Sequence, residues 1–211
     1  MHDRLEEVVR RNLESSWRQP LHAPTAGAFE KLTDLADFSN AKLILDSGCG
    51  TGASTISIAK RFPDCLVIGV DRSIARLSRQ GDAVFPLQRG NVIWLQAELT
   101  TFWRLALGSG WQLHRHFLLY PNPSPKPGHL QRRWHAHPVF PQMLELGGTL
   151  EMRCNWKIYA DEFAMALKIV RPDLDIREDS AESEQTWGEI TTPFGAKYGQ
   201  SGHRLYRVVA S

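Results

Sequence analysis

The densest run of potential chemistry is residues 46–52: Asp46, Ser47, Gly48, Cys49, Gly50, Thr51 and Gly52. Glycines at alternate positions remove β-carbons, so a ligand can approach the backbone closely and the turn can take positive φ. Amides at the start of a following helix point at whatever sits there. Asp71 stands about twenty residues beyond the turn, where an acid accepts both hydroxyls of a ribose. G-x-G-x-G by itself also fits a nicotinamide-binding turn, so Asp46 decides between ligands. A carboxylate directly before the loop repels a pyrophosphate and suits a cationic amino-acid tail.

A second concentration begins at Tyr120, followed by Pro121, Asn122, Pro123, Ser124, Pro125 and Lys126. The alternating prolines stiffen the loop and fix Asn122. His129, Arg132, Arg133, Trp134, His135 and His137 come next, a basic patch with an aromatic inside it. Such a patch suits phosphates and stacked bases. No carboxylate or cysteine lies close in sequence to His135 and His137, so no metal site is expected there.

These residues need elements to hold them. Residues 43–46 and 66–71 are apolar runs ending in acids, and the stretch between them has helical character. The alternation continues with a short helix over 73–80, a strand over 91–96 and a helix over 99–107. A strand over 117–120 precedes a largely helical stretch over 131–146, bent or broken by Pro138 and Pro141. A strand over 149–154, a helix over 157–170 and strands over 174–177 and 205–209 complete the pattern. Strands alternating with helices predict a mostly parallel, seven-stranded α/β sheet of Rossmann-like type, wrapped on both faces. In such sheets ligands sit at the carboxyl ends of strands, so Asp46, Asp71, Glu98 and Asn122 should gather along that edge. Glu98 is read two ways: as an acceptor for an adenine amine, or as a cap on the next helix.

Ahead of the sheet, residues 3–18 have an amphipathic helical pattern, with Leu5, Val8, Val9, Leu13 and Trp17 on one face. A second helical pattern carries Phe29, Leu32, Leu35 and Phe38. The expected organisation is an N-terminal helical extension over 1–40, capping the sheet or covering the cofactor, and one domain over 41–211. Arg10, Arg11 and Arg18 are read first as a solvated helix face.

The chain has 211 residues, a formal net charge of +2 and 42% hydrophobic residues, enough for a full core. Near-neutrality gives no overall argument for a polyanion, so local clusters must carry it. Cys49, Cys65 and Cys154 are scattered, with no C-x-x-C, which fits a reducing cytoplasm. No apolar run reaches the roughly 18 residues needed to span a bilayer, and no apolar signal region stands at the N-terminus. A cytoplasmic monomer or homodimer without membrane contact is the expectation.

The D-x-G-C-G-T-G run of residues 46–52 resembles motif I of the class I S-adenosylmethionine methyltransferases. The later residues narrow the resemblance. The run of 120–126, then His129 and Arg132-Arg133, the L-G-G-T run of 146–149, Asn155-Trp156 and Tyr159-Ala160 is similar to the tRNA (guanine-N7-)-methyltransferase family. That family has F-P-D-P-W-x-K, H, K-R-R, L-x-x-G-G, T-D-W and Y-A in this order. Thr192-Pro193-Phe194-Gly195 and Gly202-His203 resemble its T-x-F-E and G-H. The resemblance spans roughly 41–209. It implies that Asp46, Gly48, Gly50, Gly52, Asp71, Glu98 and Asn122 contact S-adenosylmethionine, with Asn122 at the catalytic position. It further implies that Lys126, with Arg132 and Arg133, contacts tRNA, and that Asn155, Thr192, Phe194 and Gly195 hold the guanine.

Three family acids are not acids here. Asn122 and Asn155 replace aspartates, Gly195 replaces a glutamate, and Ser124 stands for the tryptophan. Guanine N7 is already a lone-pair nucleophile, so methyl transfer there needs position and electrostatics rather than deprotonation. Each lost carboxylate removes an acceptor and a charge that would offset the cationic ring. Alternatives therefore stay open: a small heterocycle or another nucleic acid as acceptor, or a catalytically silent RNA-binding paralogue. Asn122-Pro123-Ser124-Pro125 also partly resembles the [DN]-P-P-[YFW] loop of amino-methyltransferases, without its closing aromatic.

Overall fold

Strand β1 (Leu43–Ser47) is buried along its whole length and forms the middle of the molecule. It pairs in parallel with β2 (Leu66–Asp71) on one side and β5 (Leu113–Leu119) on the other. The computed structural model describes residues 1–15, 17–36, 38, 41–81 and 84–211. The expected extension boundary at residue 40 and part of the 3–18 helix pattern lie outside the described residues.

Full burial explains the near-continuous apolar runs, since a parallel strand packed on both faces has no polar side. Alternate residues feed two cores. Leu43 and Leu45, with Ile68, Val70, Ile93 and Leu95, face one core. Ile44, Val67, Val92, Trp94 and Phe117 face the other. The first core is covered by α1 (Leu5–Glu14), α2 (Ala23–Leu35), α5 (Leu99–Gly108), α6 (Phe140–Glu145) and α7 (Lys157–Val170). The second is closed by α3 (Ala53–Arg61), the short α4 (Ile74–Leu77) and Ile190. Leu5, Val8, Val9, Phe29 and Leu32 are buried in the first core, so α1 and α2 are continuous with it.

The sheet has eight strands rather than the seven expected, in the order β3-β4-β2-β1-β5-β6-β8-β7. The added strand, β3 (Leu87–Arg89), is a three-residue antiparallel partner of β4 (Val92–Gln96), turned at Gly90 with φ 57°. Its half-buried Leu87 and exposed Gln88 and Arg89 give no apolar run to read. β6 (Thr149–Cys154) continues the parallel order beside β5, and β8 (Leu205–Ala210) inserts antiparallel between β6 and β7 (Ile176–Ala181).

Two other expectations are corrected. Residues 131–146 are not largely helical: short 3₁₀ turns occupy 127–132 and 134–136, and α6 begins only at Phe140. Proline fixes φ and supplies no N–H, so Pro138 stops helix growth and Pro141 is tolerated in the first turn of α6. A helix unforeseen in the sequence, α8 (Pro193–Gln200), starts behind the N-cap Thr192, whose side chain accepts from the Gly195 amide. No helix among the described residues is long and apolar enough to cross a membrane. Cys49, Cys65 and Cys154 are buried free thiols.

Candidate functional site

β1, β2, β4 and β5 run parallel, so their carboxyl ends share one edge. Asp46 is paired with Gly69 and Asp71 with Gln96 in the register. Glu98 follows β4 as the N-cap of α5, and the 120–126 segment follows β5. The edge thus carries Asp46, Asp71, Glu98 and Asn122, as the alternation predicted.

The loop after β1 is built from glycine conformations. Gly48, Gly50 and Gly52 have φ of 78°, 58° and 78°. At Gly52 space adds to the requirement, because a β-carbon would run into the Trp94 indole. The Gly48 and Cys49 amides donate to the Val70 carbonyl at 2.8 and 3.1 Å, and the Gly50 amide donates to Asp71 Oδ2 at 3.0 Å. The loop is therefore stitched to the end of β2. α3 begins at Ala53 without a side-chain cap, which leaves its first turn to a ligand or water.

Asp46 is 1% exposed. The Ser54 and Thr55 hydroxyls, from the first turn of α3, donate to its Oδ2 at 2.7 and 2.8 Å. Its Oδ1 is buried without a partner. Burial pushes its carboxyl up to about 6, against the two hydroxyls and with a contribution from the charge of Asp71. An orphaned acid oxygen under a glycine turn is what a cationic ligand group would satisfy. Asp71 is also buried, and accepts from the Ser73 amide at 2.8 Å while the half-exposed Arg76 pairs with Oδ1 at 3.1 Å. The geometry fits an amino-acid tail over the loop and a ribose at Asp71, once Arg76 yields.

Glu98 caps α5, as the second of its two readings has it. Its carboxylate accepts from the Thr100 amide, the Thr100 hydroxyl and the Thr101 amide at 2.8, 2.7 and 2.9 Å. These bonds hold its pKa below the usual carboxylate range although burial opposes them.

The loop after β5 is of a different kind. Tyr120 and Ser124 hold φ of 51° and 43°, left-handed conformations that cost energy in residues other than glycine. The Ser124 amide donates to Asn122 Oδ1 at 3.1 Å, so the asparagine spends its acceptor inside the loop. Asn122, Lys126 and Arg132 are exposed, and Asn155 is half-buried.

Arg133 is a correction to the expected basic surface. It is 3% exposed, pairs with Glu162 and donates to the Ser124 and Pro125 carbonyls. With its donors spent inside, it holds the loop from within and does not belong to the exposed surface. His135 is buried as well and bonded to Glu162 at 3.1 Å, and burial holds its pKa below the usual imidazole range although Glu162 opposes it.

The 184–195 segment faces the loop from the other side of β6. Phe194 is 47% exposed. Its ring lies 6.2 Å from that of Tyr198 and 6.4 Å from that of Tyr120, at interplanar angles of 21° and 31°. Thr192 and Gly195 are buried supports. The Thr192 amide donates to Glu184 Oε2 at 2.8 Å, and a β-carbon at Gly195 would overlap the Glu184 carboxyl. Glu184, buried, also pairs with Arg153 at 3.2 Å, and burial together with the Glu184 charge raises the Tyr120 hydroxyl. Arg153 is 1% exposed, bonded in addition to Glu151 at 2.7 Å and to the Ile190 carbonyl at 2.8 Å. Sequence reading missed Glu184, Arg153 and Glu162. A signal existed for one of them: Glu151 and Arg153 stand two apart on one face of an otherwise apolar strand.

Comparisons with known proteins bear on this edge of the sheet. A family model described as "Putative methyltransferase" matches residues 40–208. A tRNA (guanine-N(7)-)-methyltransferase of Pseudoalteromonas atlantica is 27% identical over 218 aligned positions, covering 96% of this chain and 83% of that protein. A trans-aconitate 2-methyltransferase of Deinococcus radiodurans is 44% identical over 43 residues, a stretch of 20% of this chain and 17% of its own length. Among solved structures, the 16S rRNA methyltransferase KamB shares the fold with a TM-score of 0.57 at 17% identity, over 90% of this chain and 94% of its own.

Proposed function

This chain belongs to the methyltransferase family whose model spans residues 40–208, and from that premise we propose that it is an S-adenosylmethionine-dependent methyltransferase of the tRNA (guanine-N7-) kind, acting on a ring nitrogen, most simply guanine N7 in tRNA. One observation carries the reading. The Asp46–Gly52 loop, Asp71 and the 121–126 loop leave the same edge of a parallel sheet, so the loop read as the donor site and the loop read as the acceptor site share that edge.

S-adenosylmethionine, when bound, supplies an electrophilic methyl group on a sulfonium. Asp46, the glycine loop and Asp71 would hold it through the amino-acid tail and the ribose. Asn122 and the rigid prolines would set the acceptor face of the cleft, and Phe194 offers an exposed ring on which a base can stack. Lys126 and Arg132, both exposed, would take phosphates. No general base is required, because guanine N7 presents its lone pair directly. Holding the base in line and excluding water is the work left to the protein.

A second acceptor is favoured by a specific observation. Asn122 is turned into its own loop, and Glu184, which takes the room beside Gly195, is buried and already bonded to Thr192 and Arg153. A heterocycle that needs fewer acceptors than guanine suits such a site.

The test is transfer of radiolabel from S-adenosylmethionine to unmodified tRNA, with strand scission at 7-methylguanosine, beside an Asn122→Asp variant. Label with scission at one site is expected. Cofactor binding without label on tRNA rejects the N7 assignment and directs the search to small heterocycles and other RNAs.

A further inference from the structure

Behind the 121–126 loop lies a buried ionic cluster that the donor and acceptor sites do not use. Glu162, on α7, is fully buried. Its Oε1 accepts the backbone N–H of His2 at 2.7 Å, and its Oε2 accepts from Arg133 and from His135 Nε2. Arg133 faces the opposite way with its remaining donors. Nε donates to the Ser124 carbonyl at 3.3 Å and Nη2 to the Pro125 carbonyl at 3.4 Å, while the guanidinium lies 5.0 Å over the Trp156 ring.

Burying an arginine and a glutamate is costly, and replacement by apolar residues is often neutral or better for stability. An arginine aimed at two carbonyls of one loop has a use that an apolar residue lacks. The loop it grips contains Ser124, held at φ 43°. Left-handed backbone at a residue with a side chain persists where the surroundings over-determine it. Two hydrogen bonds from a fixed planar fork are such a restraint, and they fall on the strained residue and its neighbour. The fork is fixed in turn because Glu162 anchors its other end.

We propose that Glu162 is a positioning residue for the acceptor loop, acting through Arg133 on Ser124 and Pro125 and so on Asn122 and Lys126. The His2 amide closes the same carboxylate, which ties the segment before α1 to the loop. The functional half of this inference rests on the reading of 121–126 as the acceptor loop; the mechanical half does not.

The experiment separates the two. Amide hydrogen exchange is followed by NMR in the full chain carrying Glu162→Gln, and separately Arg133→Lys. The lysine keeps a charge beside Glu162 and cannot fork onto two carbonyls. The probes are Ser124, whose amide is held by Asn122, and His129, whose amide is held by the Lys126 carbonyl at 2.9 Å. Gly48 and Cys49, held by Val70, serve as references in the same spectra. Exchange at Ser124 and His129 should rise about tenfold or more relative to Gly48 and Cys49 in both variants. S-adenosylmethionine affinity should stay within about twofold, and methyl transfer should fall in kcat with the cofactor KM unchanged. Equal loosening of probes and references, or no change in either variant, overturns the proposal and leaves Glu162 a general stability residue. A wild-type protein that transfers no methyl group to any RNA refutes the acceptor reading instead, and the exchange ratio still decides the mechanical claim.

Discussion

The two loops at the carboxyl edge of the sheet, read as donor and acceptor sides, are held by opposite strategies. On the donor side, unusual backbone angles fall on glycines, and the loop is stitched to a strand end about twenty residues away through Val70 and Asp71. On the acceptor side, left-handed angles fall on Tyr120 and Ser124, and the restraints arrive from far along the chain as buried charges. Arg133 with Glu162 supports one flank, and Arg153 with Glu184 the other. A glycine loop adopts its shape without steric strain, whereas the strained loop depends on its supports. Damage should therefore spread differently from the two sides.

The largest effect is expected at Arg153. Arg153→Met leaves Glu151 and Glu184 buried without their counter-charge and should cost about 3–5 kcal/mol in urea unfolding. An unchanged midpoint would remove the contrast drawn above. Next is Gly195→Glu, which restores the family's residue in name. The new side chain meets the Glu184 carboxyl, so it should destabilise by about 1–3 kcal/mol and not raise methyl transfer above that of the wild type. Paired with Glu184→Ala it should cost less than the sum of the two single changes, since both compete for one space.

On the donor side the expected losses are in affinity rather than in fold. Asp71→Asn keeps the shape and drops the charge, and S-adenosylmethionine binding measured by calorimetry should weaken about tenfold or more. Asp46 predicts a pH dependence. A cationic tail favours its ionised form, so affinity should fall as pH drops through about 6. Without ligand the sign reverses. The folded-state pKa is raised from 3.8, so this group's contribution to stability is complete below that value and is lost as pH rises through about 6. The smallest effect is expected at the rim, where Arg132→Ala should weaken RNA binding uniformly across sequences and lower the salt slope by about one. A loss confined to one RNA sequence would make Arg132 a reader of bases.

The same contrast explains what could be read from the sequence. The donor side was legible because its parts are local: an apolar run, an acid, glycines, a helix and a second apolar run ending in Asp71. Its hidden members, Ser54 and Thr55, are two polar residues in an ordinary helix start. The acceptor side was legible only as a loop with prolines and positive charges. Arg132 and Arg133 are neighbours of the same type, yet one is exposed and the other buried, and no periodicity separates them in a stretch of 3₁₀ turns. The partners that decide the matter, Glu162 and Glu184, lie 29 and 31 residues from Arg133 and Arg153 respectively. The positions of the main parallel strands along the chain were legible from alternation. β3 and α8 were not, because one is short and exposed and the other is opened by a threonine cap and a proline rather than by an apolar stripe.

The insertion of β8 sets a schedule for assembly. β7 has a single partner in the sheet, β8, although it precedes it in the chain. As the polypeptide emerges, the half that carries the donor loop can close its parallel pairs, while β6 keeps an open edge and β7 has nothing to bond. Only the arrival of residues 205–210 seals both at once. The Glu184 cluster, lying between β7 and β8 in sequence, is locked at the same moment. A refolding chain probed by pulsed exchange should gain protection in β1 and β2 first and in β7 and β8 together, with the acceptor side the last to mature.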